Sequence, residues 1–347
     1  MRFFFLAISL VFANLTNAFE VEERAFFGNQ TGKSKLSIIS TADIKYFAPM
    51  IELFLERYPN YGIDYSVVSS TDVMKVMYSK KTSYDLIISS AMDLQVKLAN
   101  DGFAKTYKPN IDITIPSWSI WNNMIFGFTQ EPAAIVISKT AFKHNDFPRT
   151  RQELINKLRE NPDRFKRRMG TYDLRRSGLG YLFATQDARA TETYWRLTEV
   201  MGQLETNLYC CSSNMIEDVV SGEIDIAYNV LGSYANNHPL SDKYVVIYPS
   251  DMTTVMSRSM ILPTSSDNER SAKLFIDHVL ETVFVSSTQR TMYNLSLSTY
   301  EENSLNRIKL GPGLMVFLDQ FKKQKILSRM GKCYTTNRKT IVLLTSI

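Results

Sequence analysis

The chain is poor in the residues that build metal centres and disulfide scaffolds. Its 347 residues include only three cysteines and three histidines. Cys210 and Cys211 are adjacent and Cys333 is far away, so no cysteine spacing fits a metal site. Because the count is odd, at least one thiol has no cysteine partner. A disulfide between Cys333 and one of the adjacent pair is an alternative that the sequence does not decide. We expect no resident metal ion.

Motifs of catalysis and of nucleotide or nucleic-acid binding are also absent. The sequence has no His-Glu-x-x-His, no Gly-x-Ser-x-Gly and no paired-carboxylate spacing. The glycine loop at 177–180 lacks the third glycine of a dinucleotide fingerprint and the lysine of a P-loop. The net charge of +5 is modest, and no basic stripe interleaves with aromatic residues. The sequence predicts no enzyme, no cofactor and no nucleic-acid partner.

The N-terminus has the pattern of an export signal. Arg2 supplies a positive charge, residues 3–13 form an apolar core, and Thr16-Asn17-Ala18 puts small residues at the expected cleavage position. We predict a signal peptide at 1–18, cleaved after Ala18. The alternative is a membrane anchor, but the apolar run is shorter than the roughly 20 residues that span a bilayer.

Strand and helix patterns alternate after residue 34. Short apolar runs predict strands, and apolar residues at helical spacing follow each run. The predicted strands lie at 36–40, 63–69 and 85–89, and the predicted helices at 49–58, 71–78 and 92–100. Pro49 suggests the first helix start, and Ser70 or Thr71 is the expected cap of the second. Such alternation is typical of a parallel sheet with right-handed crossovers.

A second α/β unit follows, and the chain length itself favours two lobes. Its predicted strands are 169–174 and 224–229, and its predicted helices are 150–158, 181–201 and 212–220, the last capped by Ser212 or Ser213. Further strands are predicted at 123–128, 133–138, 244–248 and 258–262, and further helices at 271–285 and 314–324.

Several segments in order resemble one known family, the periplasmic solute-binding proteins of the second structural type. The resemblance is to the iron(III)-, phosphonate- and phosphoglycerate-related branch of ABC-transporter binding proteins. It covers roughly residues 34–325, and the stretch from about Gly331 fits nothing in the family. The segments that carry it are 85–95, 100–102, 126–132, 170–173, 177–181, 221–223, 225–229, 248–251 and 272–277.

The resemblance implies a two-lobe α/β fold of type II with a ligand cleft between the lobes. We predict lobe 1 at residues 19–134 plus 248–347 and lobe 2 at 135–247, with hinges near 131–138 and 244–249. The family implies a periplasmic protein that binds a small solute and delivers it to an inner-membrane ABC permease. An alternative is a regulatory protein that contacts the periplasmic domain of a sensor kinase.

The expected ligand is a small organic or phosphorus-containing anion. The other candidate is ferric iron, which relatives bind with a neighbouring tyrosine pair. This chain has no Tyr-Tyr step, since Tyr228 and Tyr234 are six residues apart and the histidines are scattered. The sequence therefore departs from the iron-binding pattern, and we predict no metal ligands.

Candidate ligand-binding residues lie where strands end and helices begin, because backbone N–H groups and helix dipoles favour an anion there. For each hydroxyl residue the alternative is a helix cap, for Arg175 a solvated surface charge, and for the tyrosines a packing role. The predicted site residues are Thr41, Ala42, Ser89, Ser90, Arg175, Ser177, Gly178, Gly180, Tyr181, Asn229 and Tyr234.

Overall fold

The computed structural model describes residues 19–30, 34–112, 114–142, 146–284 and 304–333, with side chains described up to residue 328. The predicted signal peptide and the end of the chain lie outside this range. Within it, no helix has the length and apolar character needed to cross a membrane.

The first sheet contains seven strands among the described residues. They are β1 (Val21–Gly28), β2 (Ser34–Ser40), β3 (Tyr61–Val68), β4 (Leu86–Ser89), β5 (Ile120–Trp121), β6 (Ile125–Gly127) and β13 (Ser259–Ile261), in the spatial order β1-β3-β2-β4-β13-β6-β5. Strand β2 is parallel to β3 and β4, which confirms the predicted alternation. Strand β1 is antiparallel to β3 and was not predicted.

The second sheet is built around one long buried strand. Its strands are β7 (Glu131–Ser138), β8 (Met169–Tyr172), β9 (Asn207–Tyr209), β10 (Ile226–Leu231), β11 (Tyr244–Ile247), β12 (Thr253–Met256) and β14 (Leu305–Arg307). Strand β7 is antiparallel to β10, β11 and β12, while β8 is parallel to β10 and β9.

Helices cover both sheets and supply the residues around their strand ends. They are α1 (Ile44–Arg57), α2 (Ser70–Ser79), α3 (Met92–Asn100), α4 (Arg151–Glu160), α5 (Pro162–Phe165), α6 (Gly178–Ala190), α7 (Thr193–Gln203), α8 (Ser212–Ser221), α9 (Gly232–Asn236), α10 (Glu269–Phe284) and α11 (Gln320–Cys333). One apolar core lies between the first sheet, α1 and α10, and a second joins α2 and α3 to the second sheet and its helices.

The chain passes between the two sheets at two short described segments, 128–130 and 257–258. The segments are bonded together: Phe128 N–H donates to the Arg258 carbonyl at 2.9 Å, and Arg258 N–H donates to Thr129 Oγ1 at 2.7 Å. The predicted hinges at 131–138 and 244–249 are wrong, because they fall on β7 and β11, which pair within one sheet.

The predicted lobe boundaries at 134 and 247 stay a prediction. Strands β12 and β14 come from the segment predicted for lobe 1, yet they pair in the second sheet with β7 and with each other. The apolar strand pattern continues through Pro132, which pairs with Val255. The chain therefore enters the second sheet a few residues before the predicted boundary.

Several predicted helix limits are also wrong. Helix α1 begins at Ile44 and encloses Pro49. Its apolar face, with Phe47 and Met50, is fully packed in the core, so tertiary packing outweighs the roughly 3 kcal/mol cost of an internal proline. The predicted helix 181–201 is divided at Thr191 into α6 and α7. The predicted helix 314–324 is instead a 3₁₀ segment at Pro312–Phe317 followed by α11.

Candidate functional site

A small cavity of about 60 Å³ lies where strands of both sheets end. It is called the small cavity below. The first sheet and its helices contribute Thr41, Ser69, Ser70 and Ser90, and the second sheet and its helices contribute Tyr172, Ser177, Ser212 and Leu231. Most of these side chains carry hydroxyl groups, so the cavity presents many donors and acceptors in little space.

Five helices of at least nine residues begin at the small cavity, three from the first half (α1, α2, α3) and two from the second (α6, α8). The residues directly before α1, α2, α6 and α8 are Asp43, Ser69, Ser177 and Cys211, and all four line the cavity. Ser90, just before the cap of α3, also lines it. The positive ends of five helix dipoles therefore converge there.

Local hydrogen bonds fix the hydroxyl groups of the cavity. Ser69 is the cap of α2, in place of the predicted Ser70 or Thr71, because its hydroxyl accepts the Asp72 N–H at 3.1 Å. Ser177 caps α6 by accepting the Gly180 N–H at 3.1 Å. Ser69 donates its own proton to Asp72 Oδ2 at 2.7 Å. The Ser177 hydroxyl accepts the Gly180 N–H and still has its proton to donate, so its capping role does not exclude ligand contact.

Charged groups of both signs face the small cavity. Arg176 contributes a positive charge, while Glu22 and Asp43 contribute carboxylates. Partial burial, followed by the nearby charge of Asp43, raises the pKa of Glu22. Asp43 bonds to the Tyr234 hydroxyl at 3.3 Å through its backbone N–H and through its carboxylate.

Two adjacent thiols also line the small cavity. Cys210 and Cys211 are both free and half-buried. A hydrogen bond between the two side chains lowers the pKa of Cys210 to about 7 and raises the pKa of Cys211. Cys211, and not the predicted Ser212 or Ser213, precedes α8. The side chain of Cys333 lies outside the described residues.

A second, larger cavity of about 570 Å³ adjoins the first. It is called the large cavity below. Its apolar wall includes Ala42, Tyr46, Phe47, Tyr234 and Leu240. The rings of Tyr46 and Tyr234 stack with their centroids 3.7 Å apart. Tyr234 lines both cavities, so one side chain forms a wall of each.

The charged groups of the large cavity are paired. Arg258 and Glu131 form a buried ion pair, with Nε and Oε1 separated by 3.3 Å and side chains 4% and 3% exposed. Glu131 also accepts a hydrogen bond from the Ser233 hydroxyl. Lys45 lies 3.7 Å from Glu217. The two positive and two negative side chains balance, so the wall has no net charge from these four groups.

The structure brings four predicted site residues together at the small cavity: Thr41, Ser90, Ser177 and Tyr234. The hydroxyls of Thr41 and Ser90 are 3.2 Å apart. Ala42 lines the large cavity instead. Thr41, Ser90 and Ser177 were chosen at strand ends and Tyr234 as a tyrosine that could line the cleft, and the structure shows that the ends of β2, β4 and β10 do meet.

The structure does not bring the other predicted residues to either cavity wall. Ser89 is buried and accepts the Ala91 N–H, and Gly178 N–H donates to Ser70 Oγ at 2.8 Å. Gly180 packs on Tyr172, and Tyr181 donates its hydroxyl proton to the Phe317 carbonyl.

Arg175 and Asn229 also have partners within the protein. Arg175 is exposed and forms a two-bond ion pair with Asp173, at 2.8 and 2.7 Å. Asn229 has a left-handed backbone (φ 64°) and donates to Asp187 at 3.0 Å. It joins a buried network in which Arg151 contacts Asp187 at 3.2 Å and Tyr228 at 2.7 Å. This network has a structural role, since it links α4, α6 and β10.

Sequence reasoning missed several residues of the two cavities. Ser69 and Ser70 follow directly after β3, and Ser89 and Ser90 lie at the end of β4 in the same hydroxyl-rich pattern. The reasoning that selected the serines at the end of β4 would therefore have found Ser69 and Ser70. Glu22 and Arg258 had no such signal. They reach the cavities through an unpredicted edge strand and through the second passage between the sheets.

Comparison with solved structures finds similar proteins along nearly the whole chain. A substrate-binding protein of an ABC transporter from Agrobacterium tumefaciens is 28% identical, with a TM-score of 0.83, and the match covers 92% of this chain and 100% of that one. No protein-family model and no curated protein sequence matches the chain.

Two further structures are similar in fold. The periplasmic binding protein AfuA from Actinobacillus pleuropneumoniae, with fructose-6-phosphate bound, is 14% identical, with a TM-score of 0.68 and coverage of 87% of this chain and 98% of that one. Iron-bound HitA from Pseudomonas aeruginosa is 14% identical, with a TM-score of 0.59 and coverage of 86% and 99%.

These similar structures are binding proteins rather than enzymes, and they have the two-sheet α/β architecture described above. The predicted type II fold is therefore confirmed. Solute binding is the activity that this fold and these neighbours support in general terms. The chain therefore has the fold of the type II periplasmic solute-binding proteins and is similar to a substrate-binding protein of an ABC transporter.

Proposed function

We propose that the chain binds a small organic or phosphorus-containing anion in the small cavity and delivers it to an ABC permease. The supporting observation is the convergence of five helix N-termini on one cavity, together with Arg176. Backbone N–H groups at helix starts bind anions with little rearrangement. The bound fructose-6-phosphate of AfuA, a protein of the same fold, is consistent with a phosphorus-containing anion.

The carboxylates of Glu22 and Asp43 oppose a bound anion, and two features limit their effect. The raised pKa of Glu22 reduces its negative charge at mildly acidic pH. Asp43 directly precedes α1, where the helix dipole compensates a negative charge. We infer that an anion binds more tightly as the pH falls toward the pKa of Glu22.

Delivery requires that the cavity open and close. The two short passages at 128–130 and 257–258 are the natural hinges, since each half keeps its own sheet. We propose that the protein is exported through the predicted signal peptide and acts in the periplasm. The regulatory alternative uses the same closure, with the periplasmic domain of a sensor kinase in place of the permease.

Ferric iron is the second candidate ligand, because iron-bound HitA has the same fold. The residues present argue against it. Among the described side chains, no group of three or more His, Cys, Asp or Glu residues is arranged to hold a metal ion. Titration with a ferric salt tests this alternative, and a visible charge-transfer band with one iron per chain would establish it.

Neighbouring arginines provide the direct test of anion binding. A thermal-shift screen over phosphonates, phosphoglycerates and dicarboxylates identifies a ligand, which at 100 times its Kd adds about 2.7 kcal/mol of stability.

Arg176→Ala should then weaken binding of that ligand by about tenfold, since a charge-assisted hydrogen bond contributes roughly 1.5–3 kcal/mol. Arg175→Ala is the matched control, because Arg175 is paired with Asp173 outside the cavity. If Arg175→Ala has the larger effect, the choice of Arg176 is wrong and the choice of Arg175 from the sequence is correct.

A further inference from the structure

The large cavity is too large and too apolar to be explained by a small anion alone. Its volume of about 570 Å³ compares with about 60 Å³ for the small cavity, and lies in the range of roughly 300–1,000 Å³ that is usual for organic ligands. The consecutive residues Thr41, Ala42 and Asp43 alternate between the two walls: Ala42 lines the large cavity, and its two neighbours line the small one. A single ligand can therefore contact both.

We propose that the large cavity holds an uncharged, largely apolar body of the ligand, while the small cavity holds its anionic head. The proposal rests on the proposed function and adds the substrate class: amphipathic organic anions with an aromatic or similarly flat body. Free phosphate, small dicarboxylates and ferric ion leave this space unfilled.

The walls of the large cavity support an apolar occupant. Phe47 and the stacked pair Tyr46 and Tyr234 present aromatic surface, and Leu240 adds an aliphatic side chain at 42% exposure. Burial of apolar surface on such walls is favourable at about 25 cal/mol per Å². Aromatic groups also gain from offset or edge contacts with aromatic walls.

The charges of the large cavity indicate that the body is uncharged. Arg258 is paired with Glu131, and Lys45 with Glu217. A charged body would have to break one of these pairs, and the buried Arg258–Glu131 pair is costly to break. The anionic group of the ligand is therefore expected at the helix N-termini of the small cavity, on the other side of Tyr234.

One buried donor in the wall also lacks a partner. The Nη1 atom of Arg258 has no hydrogen-bond partner among the described residues, although the side chain is only 4% exposed. Buried polar atoms are rarely left unsatisfied. An acceptor on the ligand body, such as an ether or hydroxyl oxygen, would satisfy it after a small shift of Tyr234, which covers the guanidinium at 5.8 Å.

Ligand pairs that share a head group test the proposal. Calorimetric titration compares methylphosphonate with phenylphosphonate, methyl phosphate with phenyl phosphate, and acetate with benzoate. For each head group that binds, the phenyl member should bind about tenfold tighter or more, because its ring is buried in the large cavity. Equal affinities within the binding pairs would refute the large cavity as a body site while leaving anion binding intact. If no member of any pair binds, anion binding fails and the inference fails with it.

A cavity-filling variant tests where the body lies. Leu240→Trp should reduce the phenyl-to-methyl affinity ratio to near one, since the indole takes the space of the ring. The matched control is Val316→Trp, because Val316 is similarly exposed at 44% and lines neither cavity. A ratio that is unchanged in folded Leu240→Trp protein, or reduced equally by Val316→Trp, would overturn the assignment.

Discussion

Gly178 is the position at which a single added side chain should oppose closure of the protein. It is the first residue of α6, and its N–H donates to Ser70 Oγ at 2.8 Å, which joins the second half of the molecule to α2 of the first. A Cβ atom at residue 178 would lie 2.5 Å from Ser70 Oγ and 2.9 Å from Leu94 Cδ1. Gly178→Val therefore introduces a clash between the two halves.

The expected loss of ligand affinity follows from two effects, the clash that is introduced and the hydrogen bond that is lost. Overpacking of a close contact costs about 1–3 kcal/mol, and loss of the Gly178–Ser70 hydrogen bond costs about 0.5–1.5 kcal/mol. Together they destabilise the closed form by about 1.5–4.5 kcal/mol, which weakens ligand binding by roughly 10-fold to 1,600-fold. The fold of each half should survive, because a helix start tolerates valine better than a helix interior and α6 keeps its Ser177 cap.

Titration calorimetry with the tightest ligand of the screen measures the affinity, and small-angle scattering measures closure. The wild-type radius of gyration should fall when ligand is added, and that of Gly178→Val should not. Ser70→Gly should partly rescue Gly178→Val, by about fivefold or more, because it removes the clashing side chain. Gly313→Val is the control, since a Cβ at Gly313 meets nothing within 4 Å. Wild-type affinity in folded Gly178→Val protein, or no rescue by Ser70→Gly, would refute this reasoning.

Two further predictions concern stability. Asp187→Ala should lower the free energy of unfolding by about 3–5 kcal/mol, because it leaves the Arg151 guanidinium, which is 1% exposed, without its fully buried carboxylate partner. Asp251→Ala removes the carboxylate partner that is 29% exposed, and it should lower the free energy of unfolding clearly less. Urea unfolding measures both changes. Asp93→Asn should stabilise the protein at pH 8 and leave it unchanged at pH 4. Burial raises the pKa of Asp93 from 3.8 to about 7, so the folded state loses stability as the pH rises through this window, by at most about 4 kcal/mol. Urea unfolding at both pH values measures this difference, and an equal effect of Asp93→Asn at pH 4 and pH 8 would contradict it.

The sequence by itself determined the local structure. Apolar runs and helical spacing predicted β2, β3, β4 and the helices that follow them, and the limits of α3 agree with the structure at both ends. The same reasoning selected Thr41, Ser90 and Ser177, and Tyr234 was selected as a tyrosine that could line the cleft; the four lie together at the small cavity. Strand ends and helix starts could be located in this way because they depend mostly on neighbouring residues, whereas ligand binding by these side chains stays a prediction.

Only the tertiary structure decided what depends on distant residues. The place of β12 in the second sheet and the network around Asn229 result from contacts that no local pattern encodes. The large cavity is a similar case, since Tyr46 and Arg258 are more than 200 positions apart in the chain. Secondary structure responds to hydrogen bonds a few residues away, whereas a cavity between two sheets exists only once the chain has crossed between them and packed.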